Sequence, residues 1–405
     1  MAINPLKVLF VASEVEGLVK TGGLADVAKA LPQHLARGGH DVRIILPFYK
    51  TLKRRDEAVL LASRWLPTPQ GRDDISYRIY QLELDGICVY RLDCPPYFER
   101  PQLYAENNQA YPDNGERFAF LAAAALHACE QLNFAPDIVH CNDWHTGLLP
   151  LLLKTRHAHN PFFPRPRSVT SLHNAAFQGV FDRQQFWAVP EIQDYEQRIN
   201  YDYGHINLLK CGVLYADKIN AVSPNYASEL LTHLGAHGMA SVFQQRASDL
   251  RGILNGCDYQ DWDPAFDPLL PATYDADHLA GKHACKRALQ QETGLPVGNL
   301  PIYGMVCRLT EQKGVHLLIP ALDKFLQHQV QVVIVGSGDP SLAAQLQTIA
   351  QQHPDRFAFI NNVNWDLSYT YGQLEARNKE SGDDRLRMAL ASDAVASVTQ
   401  GAVGC

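Results

Sequence analysis

The run "LKVLFVASEVEGLVKTGGLADVAKAL", residues 6 to 31, decides the fold. It opens on a near-continuous apolar stretch, crosses a loop that ends in Gly22 and Gly23, and then changes period. Leu24, Val27, Ala28, Leu31 and Leu35 follow the i, i+3, i+4, i+7 rhythm of a helix, which Gly38-Gly39 stops and Pro32 is expected to kink. Strand, glycine loop and helix in that order form the opening unit of a parallel α/β sheet.

The same alternation continues outward. "DVRIILPF" (41–48), "DIVHC" (137–141), "SVTSLH" (168–173) and "DKINAVS" (217–223) read as strands with helical patterns between several of them. The rhythm restarts at "LRGILNG" (250–256) and runs through "IYGMVC" (302–307), "VQVVIVGSG" (330–338) and "FAFINN" (357–362). Apolar strands separated by helices imply sheets covered on both faces. The expectation is two Rossmann-like, doubly wound α/β domains facing a cleft, 1–245 and 246–362, the second incomplete, with ligand beyond the carboxyl ends of the strands. Residues 363–405 are poor in Leu, Ile, Val and Phe, carry the charge-dense stretch "EARNKESGDDRLR", and are read as an atypical tail.

Composition narrows the function classes. With 405 residues, 46% hydrophobic and 20% charged, the chain is an ordinary globular protein long enough for two cores. A formal charge of -7 gives no global basic field for nucleic acid or an acidic membrane face, so any anion must be held locally. The nine cysteines show no close pairing of the kind that zinc or redox motifs use, and read as buried thiols of a reducing compartment. The apolar run at the N-terminus meets Glu14 and Glu16 too soon for a signal peptide, and no uncharged stretch is long enough to span a bilayer; a cytoplasmic location follows as the expectation.

Several strand ends carry chemistry. Gly22 and Gly23 leave backbone N–H groups open to a phosphate at a helix N-terminus, and Lys20 would add a full charge; a tight loop with a solvated lysine is the other reading. "VHCNDWHTGLLP" (139–150) puts Asp143, Trp144 and His145 at a strand end, where Asp143 serves a site or caps the next helix. "LHNAAFQG" (172–179) delivers His173 and Asn174 to the same edge. In "CRLTEQKG" (307–314), Arg308 and Lys313 have the reach to grip two phosphates, or are two solvated cations. "VGSGD" (335–339) places Gly336 and Gly338 either for a nucleotide or for a tight turn.

Seven stretches together resemble the bacterial glycogen synthase and plant starch synthase family, which uses ADP-glucose. They are "SEVEGLVKTGGLADV" (13–27), "YPDNGERFAF" (111–120), "HCNDWHTGL" (140–148), "LHNAAFQG" (172–179), "NLLKCGVLYADKINAVSP" (207–224), "GILNGCDYQDWDP" (252–264) and "CRLTEQKGVHLL" (307–318), in the family's order. The resemblance implies retaining transfer of glucose from ADP-glucose to the non-reducing end of an α-1,4-glucan such as glycogen, with no metal or other cofactor. It further implies that Lys20, Gly22 and Gly23 form the loop at the donor diphosphate and sugar. Asp143 and His173 would surround the transferred glucose, and Arg308 and Lys313 would hold the leaving diphosphate. Asp26, Tyr104 and Asn174 would shape the sugar and acceptor site, with Gly336 near the donor.

The sequence also departs from that family. A Glu-Pro-Cys-Gly-Leu segment and a second Thr-Gly-Gly-Leu loop, which the family carries after the strand near residue 360, are absent, and the residues after about 362 read as a foreign tail such as a shifted reading frame would create. A remnant that binds nucleotide sugar or glucan without efficient transfer is therefore the alternative. A dinucleotide-dependent oxidoreductase is more remote, because G-x-G-x-x-G is missing, and a glycosidase would leave the cations without a task.

Overall fold

The structure, a computed structural model, describes residues 4–69, 72–106, 109–256, 259 and 263–361. The chain divides into two compact units, with the boundary between Asn255 and Gly256. The atypical tail expected at 363–405 lies outside the described residues.

The first unit is built on a nine-stranded sheet among the described residues: β1 Lys7–Val11, β2 Asp41–Pro47, β3 Val59–Leu66, β4 Ile75–Leu84, β5 Ile87–Asp93, β6 Ile138–Asn142, β7 Arg167–Leu172, β8 Lys218–Ala221 and β9 Leu250–Gly252, in spatial order β9-β8-β7-β6-β1-β2-β5-β4-β3. Strands β9 through β5 in that order are parallel. Leu9, Phe10, Val11, Ile44, Ile45, Leu46, Val139 and Cys141 are all buried, as central strands covered on both faces require. Helix α1, Gly23–Arg37, packs on β2 and β5 and passes through Pro32 without a break. Helix α2, Asn114–Gln131, is buried from Phe118 to Leu126, so its Ala-rich run is apolar all round because it lies inside the unit rather than on its surface.

Two features differ from the sequence expectation. The sheet carries an antiparallel edge, since β3 and β4 pair antiparallel and so do β4 and β5. Asp85 and Gly86, both at positive φ, form the two-residue hairpin between β4 and β5. The second difference is the strand in "LRGILNG": β9 pairs in parallel with β8, through Ile219 opposite Leu250, so this stretch closes the first sheet instead of opening the second.

Topology locates the site. The chain leaves β1 for β2 on one side, runs out to the antiparallel edge, and crosses back through α2 to β6 on the other side of β1. The carboxyl ends of β1 and β6 therefore flank the point where winding reverses, which is where open α/β sheets take ligands.

The second unit has a three-stranded parallel sheet among the described residues, β10 Ile302–Val306, β11 Gln331–Val335 and β12 Phe357–Ile360, with β11 in the middle. The central strand is buried throughout and its side chains alternate between two cores. Val333 and Val335 join Leu289 and Cys285 of α3, Ala280–Glu292. Val332 and Ile334 join Leu322 of α4, Val315–Phe325, and Leu346 of α5, Pro340–Gln352. Helices on both faces of a parallel sheet make this unit Rossmann-like as well. All seven described cysteines are unbridged, and no helix among the described residues is long and apolar enough to cross a membrane.

Candidate active site

In the first unit, the loop after β1 turns at Gly17 and closes on itself through a bridge between Val15 and Val19. It then reaches Gly22, which precedes α1 without any side-chain cap. A Cβ built on Gly22 or Gly23 would meet no atom within 4 Å, and neither has positive φ. Neither internal packing nor backbone geometry demands these glycines, and in the first turn of α1 the Ala25 amide turns back to Gly22 O at 3.3 Å.

Lys20 is buried and is held by two carboxylates, Glu16 at 2.7 Å and Asp26 at 2.6 Å. The solvated-lysine reading is thus excluded: this ammonium is part of the loop's internal framework. Beside it lies a residue that sequence reasoning passed over. Glu14 is buried, and its carboxylate accepts from the Thr21 amide, the Thr21 hydroxyl, and the Tyr104 hydroxyl at 2.6 Å. Burial pushes its pKa up, while these bonds and one from the Gly22 amide oppose the shift.

At the end of β6, Asp143 has φ 52 and ψ -166, a region that is essentially glycine-only. Its side chain makes no cap bond to the following turn, Trp144–Thr146. Instead Oδ1 accepts the backbone N–H of His173 at 2.8 Å, and the Asn174 amide also points at this carboxylate. Burial raises the Asp143 pKa to about 7 against the pull of those two amides. The strained backbone is held by a hydrogen bond from the Asp143 N–H to Ser171 O, which ties the end of β6 to β7.

His173 follows β7, with Nε2 3.1 Å from Asn142 Oδ1. The Asn142 amide nitrogen is committed to Val11 O at 2.9 Å, so its Oδ1 is the acceptor and His173 carries its proton on Nε2. Burial lowers the His173 pKa to about 4, and the ring is neutral near pH 7. His145 stacks on Trp144 at 3.9 Å between centroids and lies 4.8 Å from the Tyr104 ring. Asp143, His173, Asn174 and Tyr104 are thereby brought to the edge that also carries the glycine loop, because β1, β6 and β7 are neighbours in register.

In the second unit, Arg308 and Lys313 follow β10. Tight turns fold the loop back, with the Thr310 amide on Arg308 O at 3.0 Å and the Lys313 amide on Thr310 O at 3.1 Å. Both cations act on one thiol: burial pushes Cys307 up to about 11, and Lys313 and Arg308 pull it back. Helix α4 starts just after Lys313, also without a side-chain cap. Two cations and an uncapped helix start therefore share this strand end, an arrangement suited to an anion. Gly336 serves a different need, since a Cβ there would lie 2.1 Å from Cys307 O. Gly338, at φ 151, likewise faces Leu309 O at 2.4 Å.

Comparison with known proteins decides the assignment. Residues 7–245 match the starch synthase catalytic domain family, and residues 287–375 match the glycosyl transferases group 1 family. The glycogen synthase of Aeromonas hydrophila is 84% identical over 369 residues, which cover 91% of this chain and 76% of that protein. The chain belongs to the glycogen and starch synthase family. The glycogen synthase of Photobacterium profundum is 56% identical over 90% of this chain and 73% of its own length. The catalytic domain of starch synthase IV from Arabidopsis thaliana, solved bound to ADP and acarbose, is 29% identical with a TM-score of 0.79, covering 91% of this chain and 76% of that one. Membership in the glycogen and starch synthases makes this a glycosyltransferase of glucan synthesis and leaves the oxidoreductase reading without support.

Proposed function

We propose that this glycosyltransferase acts in the cytoplasm and moves glucose from ADP-glucose, with retention and without a metal, to the non-reducing 4-OH of an α-1,4-glucan. The observation that carries the reading is the cation pair at the end of β10, with Arg308 and Lys313 around one thiol at an uncapped helix start. Breaking the glucosyl bond builds negative charge on ADP, and preorganised donors in a poorly hydrated site stabilise it. Arg308 and Lys313 take that diphosphate charge, the role a metal would otherwise fill.

The first unit, taken by itself, carries groups suited to a sugar and its donor. Gly22, Gly23 and the α1 amides approach the donor, with Lys20 and Asp26 framing the loop. Asp143 and His173 flank the transferred glucose. A carboxylate beside the reacting carbon favours its oxocarbenium character, and an Asp143 pKa of about 7 lets that carboxylate ionise as positive charge grows nearby. Neutral His173 donates through Nε2 to Asn142, which leaves Nδ1 as an acceptor for a sugar hydroxyl. Asn174 and Tyr104 border the sugar and the acceptor. Gly336 acts at one remove, by letting the Arg308 loop lie close to β11.

The test is incorporation of labelled glucose from ADP-glucose into glycogen by the chain and by Arg308→Ala. Incorporation is expected, with a loss of about 100- to 1,000-fold in the variant, the scale of one removed oxyanion donor. Equal turnover by Arg308→Ala removes the cation pair from the mechanism. ADP binding without any transfer would favour the ligand-binding remnant.

A further inference from the structure

The glycine loop already contains a carboxyl group, and that group belongs to the protein. The Glu14 carboxylate collects the Thr21 amide, the Thr21 hydroxyl, the Gly22 amide and the Tyr104 hydroxyl. All four are donors. The two backbone amides can only donate, and the two hydroxyls can donate as well, so the arrangement suits acceptor oxygens on Glu14. The amides of Thr21 and Gly22, which a glycine loop would offer to a phosphate, are turned inward.

We propose that Glu14 is the positioning residue of the glycine loop: by occupying the amides of Thr21 and Gly22 it fixes the loop and confines the donors left for the ADP-glucose diphosphate and sugar to the Gly23 and Leu24 amides at the start of α1. The inference deepens the donor-site reading above and rests on it for the identity of the ligand. Geometry supports it from three sides. No atom stands in the Cβ direction of Gly22 or Gly23, so side-chain packing at these two positions does not fix that stretch. Glu14 follows β1 directly, and the backbone of β1 is locked to β2 and β6, which gives the carboxylate a rigid base. Tyr104 comes from a distant part of the chain and lies 2.8 Å from Ser13 Oγ as well, so Glu14 also links the loop to a residue expected at the sugar. Glu16 and Asp26 do for Lys20 what Glu14 does for the amides, and the Glu16 amide adds a bond to Ala25 O at 3.0 Å.

Two variants test the idea. Glu14→Gln keeps the size of the side chain but puts an NH2, which cannot accept from the Thr21 and Gly22 amides, in place of one carboxylate oxygen; Thr21→Ala removes one hydroxyl and leaves both amides. Hydrogen exchange of the peptide spanning 15–27 reads the loop directly and needs no activity. The Thr21 and Gly22 amides are expected to exchange about tenfold or more faster in Glu14→Gln, as fits loss of a hydrogen bond to a charged group, with β1 unchanged. In kinetics, KM for ADP-glucose should rise by about tenfold while KM for glycogen stays within about twofold, and Thr21→Ala should move the same constant by less. Unchanged exchange in a folded Glu14→Gln overturns the proposal, and so does a loss confined to kcat. If the parent chain does not use ADP-glucose at all, the donor reading fails, while the exchange arm still judges Glu14's hold on the loop.

Discussion

Two glycine pairs in this chain look alike in sequence and differ in what they are for. Gly22 and Gly23 end the loop that follows β1, and Gly336 and Gly338 come directly after β11. Around the first pair an added Cβ finds nothing within 4 Å, whereas around the second it meets backbone oxygens at 2.1 and 2.4 Å. The second pair is required by the chain's own packing, because the segment 307–309 lies against it and donates the Leu309 amide to Ser337 O at 2.8 Å. The first pair is required by nothing inside the protein, which is what a surface kept bare for a ligand looks like. A third position completes the comparison: Asp143 has a backbone suited to glycine and a side chain instead.

The contrast breaks or sharpens under substitution. Gly336→Ala should have the largest effect, since backbone must move to admit the methyl group; a loss of about 3 kcal/mol in chemical unfolding is expected, at the upper end of overpacking costs. A fully stable Gly336→Ala would erase the distinction between the pairs. Next comes Asp143→Asn, which keeps an acceptor for the His173 amide and removes the charge. The folded carboxyl holds its proton up to about pH 7 while the unfolded one releases it near 3.8, so the parent loses stability as pH rises through that window. The variant lacks this loss, and by pH 8 should gain on the order of 2 kcal/mol relative to the parent compared with pH 5, by urea midpoints at both values. Parallel pH profiles for the two proteins would mean the site is far wetter than its burial indicates. The smallest stability effect belongs to Gly23→Ala, a gain of up to about 1 kcal/mol from helix propensity. Its transfer activity with ADP-glucose should nonetheless fall, and an unimpaired Gly23→Ala enzyme would show that nothing approaches the loop there.

Much of this was legible in the sequence because buried parallel strands are written as apolar runs, and each of the nine runs read as strands is one. The antiparallel edge was not, although Asp85-Gly86 between alternating segments is a hairpin signal with a mechanism. The strand at 250–252 was assigned to the wrong sheet because its rhythm says nothing about its partner; pairing with Lys218–Ala221 is a tertiary fact. At the site, the polar residues at the ends of β6 and β7 were legible from their position after strands. Glu14 was not. In sequence it is one of two charges that end an apolar run, and only the fold shows that it is buried and surrounded by donors. For "VGSGD", the letters fit a nucleotide turn and a packing turn equally well, and the carbonyl of Cys307 supplies what the letters lack.

The Asp143 backbone has a consequence for laboratory evolution. A library sorted for thermal robustness alone should drift toward glycine at this position, where the peptide would relax and a half-protonated carboxyl would vanish from the interior. Sorting the same library for glucan yield should hold the aspartate in place, so the two selections part company at one codon.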